Sequence, residues 1–186
     1  MAWENSPFHR FYGWRILALI AVTMAYSYWF AVIGPYAKLE GLAPGMPFEG
    51  QFTYDGAFAA KTLGQLDAVG QRTKLISLFF DLPYMVLNAL VFEALIAFGI
   101  RRMNLTKPVW SMLFILPIAF LIFDFAEDAF LALTVVSGSS ITGTLASLAT
   151  PAKFITFMAA SLTGLVFGVL GLLLWLIKGR NDQSAS

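Results

Sequence analysis

Apolar residues in this chain gather into four long runs: approximately Ile16 to Tyr36, Leu75 to Ile100, Val109 to Val136 and Phe154 to Ile177. A helix rises about 1.5 Å per residue, so a hydrocarbon core of about 30 Å is crossed by roughly 20 such residues. Each run is long enough. The pattern predicts an all-α fold, an integral membrane four-helix bundle in which residues 1–186 form a single four-span domain. The first run continues through A-Y-S-Y-W-F-A-V-I, longer than the apolar core of a cleaved signal peptide and without a small-residue cleavage site after it. It reads as a retained span.

Between the first two runs the pattern changes. G-L-A-P-G-M-P-F-E-G is turn-rich, and after it Asp55 is placed to cap an amphipathic helix over residues 56–69, with Ala59, Leu63 and Leu66 on one face and Gly70 as its end. This extra helix is expected on the outer surface, as a lid over the bundle or as a partner-binding face. The stretch from Ser137 to Pro151 carries no charge and reads as the connection between spans three and four.

Composition agrees with a bilayer: 59% of residues are hydrophobic, 12% are charged, and the mean hydropathy is +0.74. With a net charge of +1 and no block of like charges, nothing points to nucleic acid. Cysteine is absent and the single histidine, His9, precedes the first run, which removes disulfides, thiolate chemistry, iron–sulfur clusters and His-rich metal sites. No cofactor is expected, and no metal site is assigned. Arg10 and Arg15 precede span one, Arg101, Arg102 and Lys107 lie between spans two and three, and Lys178 and Arg180 follow span four. By the positive-inside rule both termini are expected to be cytoplasmic, and the sequon at Asn104 with them. Trp3, Trp14, Trp110 and Trp175 stand near the same ends, as interfacial anchors do.

The candidate chemistry lies in span three, where F-D-F-A-E-D-A-F sets Asp124, Glu127 and Asp128 in an otherwise lipid-like segment. Steps of three and four place all three on one broad helix face. On span two, Asp81, Tyr84 and Asn88 share a face. Counted from the span ends, Asp81 lies roughly 9 Å deep and the span-three acids on the order of 12 to 18 Å deep, in the same half of the membrane. Lys153 opens span four at that side, and Arg72 and Lys74 crown span two. A charge in lipid costs about 2.5 to 3.5 kcal/mol on insertion scales, so the acids should face one another, with Lys153, Arg72, a bound cation or a retained proton relieving their repulsion. Glu93 lies deeper on another face, two steps of four before Arg101, and reads as pairing toward the cytoplasmic side.

Other features read as architecture. Thr156, Ala160, Gly164 and Gly168 recur every four residues, a stripe suited to close helix packing inside the bundle or to a homodimer face. Pro83 and Pro117 each release a carbonyl one turn earlier, at Phe79 and Leu113.

The chain resembles a group of uncharacterised bacterial four-span membrane proteins over roughly residues 53 to 177. The matching residues are Gly70-Gln71-Arg72, Asp81-Leu82-Pro83-Tyr84, Asp124-Phe125-Ala126-Glu127-Asp128, and Thr150 with Lys153. Asp128 stands where that pattern has Asn, and the spacing from Asp81 to Pro83 is compressed. The resemblance implies that these residues act as one unit and supplies no activity. At the level of topology the chain is also similar to the sterol-isomerase and sigma-2-receptor group, which holds cationic ligands with intramembrane acids; span one here lacks an acid.

Two classes of function remain open from sequence. In one, Asp81, Tyr84, Asn88, Asp124, Glu127, Asp128, Lys153 and Arg72 bind a cation, a proton or the polar head of a lipid-like ligand. In the other, the protein is an accessory subunit of a larger membrane complex and its acids only staple its helices. Catalysis by carboxylic acids as proton donors ranks third, with no catalytic residue assigned.

Overall fold

The computed structural model describes residues 13–42 and 50–184, and its regular elements are all helical. Helix α1, Trp14–Tyr28, widens into a π turn over Trp29–Ile33 and resumes beyond Gly34 as α2, Pro35–Leu42. Then come α3, Gly56–Gly64, and α4, Ala68–Arg102. A 3₁₀ segment, Pro108–Phe114, leads into α5, Ile115–Ser137, and α6 covers Ser140–Ser184. Four stretches are long and apolar enough to cross a membrane: Trp14–Leu39, Ala68–Arg102, Pro108–Ser137 and Ser140–Ile177. The chain is thus a multi-pass, all-α bundle.

Its outside is as apolar as its inside. Leu17, Met24, Phe79, Ile122, Val136, Leu148 and Leu162 are all exposed, which in water would be a severe penalty and in lipid is none. Thr23, Ser27, Thr134, Ser137 and Thr156 each donate to the carbonyl four residues earlier, which satisfies their hydroxyls without water.

Helix α6 packs along α5 and α4, while α1 and α2 lie on α4. The small-residue stripe serves this packing: Ala160 is fully buried, Gly164 faces the backbone of Phe92, and Gly168 faces Leu95. Toward the other end, a Cβ on Gly99 would strike the backbone of Phe167, so α4 and α6 touch there only because that carbon is missing.

Several boundaries differ from the sequence expectation. Gly70 does not end the loop helix. Helix α3 stops at Gly64, and Asp67 caps α4, its carboxylate accepting from the Gly70 N–H at 2.7 Å, so Gly70 sits in the first turn of the next helix. The expected connection Ser137–Pro151 is mostly helix. Gly138, at φ 65°, closes α5 in the left-handed conformation, and α6 begins two residues later and continues through Pro151. The turn is drawn tight by the Thr134 and Thr142 hydroxyl oxygens, 2.8 Å apart across it. Pro117 falls in the first turn of α5, directly after the 3₁₀ segment. Pro83 alone of the two lies inside a helix. The segment Pro35–Leu42, expected to be loop beyond Tyr36, is a separate short helix because Gly34, which precedes a proline, is extended (φ −78°, ψ −162°).

The amphipathic helix is a lid. Asp55 caps it as expected, accepting from Ala57 N at 2.7 Å and Phe58 N at 3.4 Å, and Ala59 and Leu63 are buried against α5 and α6. A Cβ on Gly56 would meet the backbone of Gly143 and Thr144, which fixes how closely α3 sits on α6. Trp14 is exposed at the start of α1 and Trp175 near the end of the fourth apolar stretch; Trp3, His9 and Arg10 lie outside the described residues.

Candidate functional site

Helices α4, α5 and α6 bring their ionisable residues to one level. Counted from the basic and tryptophan-bearing end, Asp81 is 20 residues from Arg101 and Lys153 is 22 from Trp175, or about 30 to 33 Å at helical rise. That is about one hydrocarbon thickness. The lid α3 packs beyond the cluster, against α6 and α5.

Within the cluster the acids have unequal surroundings. Glu127, fully buried, is saturated: its Oε1 accepts from Thr150 Oγ1 at 2.6 Å and Tyr54 OH at 3.2 Å, and its Oε2 from Lys153 Nζ at 2.7 Å. Lys153 also stands 2.8 Å from Asp124 Oδ1. The ammonium is thus shared between the two carboxylates. Asp128 is the opposite of Glu127. It is 5% exposed, yet neither of its carboxylate oxygens has a hydrogen-bond partner. Asp81, Asp124 and Asp128 each turn one oxygen inward so that the three lie within 4.8 Å of one another. The lysines whose fields reach Asp128 are Lys153 and Lys74, the latter fully buried on α4.

Beside the acids is a cavity of about 320 Å³. Asp81, Asp124 and Lys153 form its polar side; the walls are mainly aromatic, with Phe30 and Tyr84 stacked at 5.7 Å and Phe120 and Phe157 edge to face at 5.2 Å. Helix α1 is held against this wall by Tyr26, whose hydroxyl donates to the Phe80 carbonyl at 2.7 Å, one residue from the carbonyl that Pro83 releases.

Of the sequence candidates, Asp81, Asp124, Glu127, Asp128 and Lys153 meet, and Tyr84 lines the cavity beside them. Two do not join. Asn88 donates to the Tyr84 carbonyl of its own helix at 2.8 Å and does not line the cavity. Arg72 is exposed, whereas Lys74, one helical step of seven before Asp81, is the buried base of α4. The expected pairing of Glu93 with Arg101 does not form; Glu93 is buried and has no ion pair among the described residues.

The sequence reading missed Tyr54, Thr150 as a donor to Glu127, and the aromatic wall of Phe30, Tyr36, Phe120, Phe154 and Phe157. Thr150 and Lys153 are three apart on α6, a same-face spacing that could have linked them to one acid. Tyr54 had no signal, since it precedes a loop helix whose docking is tertiary. Comparison with protein-family models, curated proteins and solved structures gives no match.

Proposed function

We propose that this chain is a bacterial inner-membrane protein, both termini cytoplasmic, that binds the polar head of a lipid-like ligand or a cation in the cavity between α1, α4, α5 and α6. The observation that carries this reading is the amphipathic cavity: aromatic on most sides, with Asp81, Asp124 and Lys153 on one. A pocket lined mostly by apolar groups with a few convergent polar ones is the usual form of a ligand site, and one side bearing two carboxylates favours a head that is cationic or donates hydrogen bonds. Asp81, Tyr84, Asp124 and Asp128 supply acceptors; Glu127 and Lys153 hold them in place.

The competing account, an accessory subunit whose acids staple its helices, is favoured by Glu127, whose three hydrogen bonds join the lid region, α5 and α6. It leaves Asp128 without a reason, because a staple has partners. Native mass spectrometry of protein extracted in mild detergent separates the two. Ligand binding predicts a small co-released molecule on the wild type that is lost from Ala31→Trp, which places a bulky ring at the cavity wall from the π turn; a bare wild-type protein, or an adduct indifferent to that change, sinks the ligand reading.

A further inference from the structure

The three aspartates form a site of a different kind from the cavity wall, although it rests on the reading of this region as a binding centre. A buried carboxylate with no hydrogen-bond partner is costly, and few such groups persist without a ligand that satisfies them. Asp128 is 5% exposed and has two such oxygens, one of them aimed at Asp81 and Asp124. We propose that Asp81, Asp124 and Asp128 bind a hard divalent cation of calcium size, with Lys153 and Glu127 as the positioning pair behind Asp124.

Geometry sets the size. Two oxygens bound to one ion are separated by at most twice the metal–oxygen distance, about 4.6 to 5.2 Å for calcium and about 4.0 to 4.2 Å for magnesium. Three oxygens within 4.8 Å of one another are close to a calcium-sized set, and the longer, more flexible calcium coordination suits them better than the tight octahedron of magnesium. An all-oxygen donor set with neither Cys nor His is the hard-cation pattern. Charge agrees: of four grouped carboxylates, two are offset by Lys74 and Lys153, and one divalent ion offsets the rest. Asp81 and Asp124 also line the cavity, which gives the ion a way in and leaves its remaining coordination positions open to water or to a ligand's oxygen.

The test uses the full chain in detergent or nanodiscs and terbium(III) as a calcium mimic, with Tyr84 close enough to sensitise its emission. Saturable luminescence that calcium displaces at lower concentration than magnesium is expected. Asp128→Asn, an isosteric change, should weaken terbium binding about tenfold or more, since ligand charge sets affinity in such sites. As a check independent of any variant, calcium should raise the melting temperature of the wild type. Luminescence equally strong in Asp128→Asn, or a wild type that neither binds terbium saturably nor gains stability with calcium, overturns the metal site. Neither result touches the co-released molecule of the preceding experiment, so the two readings fail separately.

Discussion

Lys153→Met is the most informative single change outside the aspartate triad. Its ammonium lies 2.7 Å from Glu127 and 2.8 Å from Asp124, and the three side chains are 14%, 0% and 2% exposed. Glu127 and Asp124 are too buried for bulk water to compensate the lost partner in full. Breaking a buried ion pair by removing one member costs about 3 to 5 kcal/mol, and a chain of this size loses roughly 2 to 4 °C of melting temperature per kcal/mol, so a fall of about 6 to 20 °C is expected. Thermal unfolding in mild detergent, followed by circular dichroism, measures it. Replacing the pair together, as Lys153→Met with Glu127→Gln, should recover about half of the loss or more, because no uncompensated carboxylate remains on Glu127. A Lys153→Met protein melting within about 2 °C of wild type would refute the claim that this lysine is the counter-ion of a buried acid pair.

Other changes probe the frame around the site. Thr150→Val keeps the shape and removes the 2.6 Å donor to Glu127; hydrogen bonds to charged groups contribute about 1.5 to 3 kcal/mol, so melting should fall by that equivalent. Gly99→Ala places a methyl against the Phe167 backbone and should destabilise by about 1 to 3 kcal/mol despite the better helix propensity of alanine; a gain in stability would show that α4 and α6 are not in close contact there. Asp55→Ala removes the cap of α3 and should cost about 0.5 to 2 kcal/mol, with faster hydrogen exchange confined to residues 56–64.

Much of this architecture can be read from residue order because a bilayer imposes strong rules. Four apolar runs had to be helices, since a spanning backbone must satisfy its own hydrogen bonds. Asp81 and the span-three acids had to face inward because lipid penalises charge, and spacing along α5 put Asp124, Glu127 and Asp128 on one face. What could not be read was set by contacts distant in sequence. Whether Gly70 ends a helix or begins one depends on Asp67 taking the cap, and two plausible caps, Asp55 and Asp67, are close together. Uncharged residues 140–150 look like loop until the faces of α3 and α5 are present to bury Ala146 and Thr150. The division of labour among the acids was likewise invisible: nothing in D-F-A-E-D says that the glutamate is saturated and the last aspartate is left without a hydrogen-bond partner.

The central claim is that a carboxylate of α4 and two of α5 converge. Solid-state NMR of protein with carbon-13-labelled aspartate in lipid bilayers tests it directly, through dipolar correlations between side-chain carboxyl carbons. Correlations from Asp81 to both Asp124 and Asp128, abolished for Asp81 by Asp81→Asn, are the expected result. A spectrum in which Asp124 and Asp128 correlate with each other and Asp81 with neither would contradict the account.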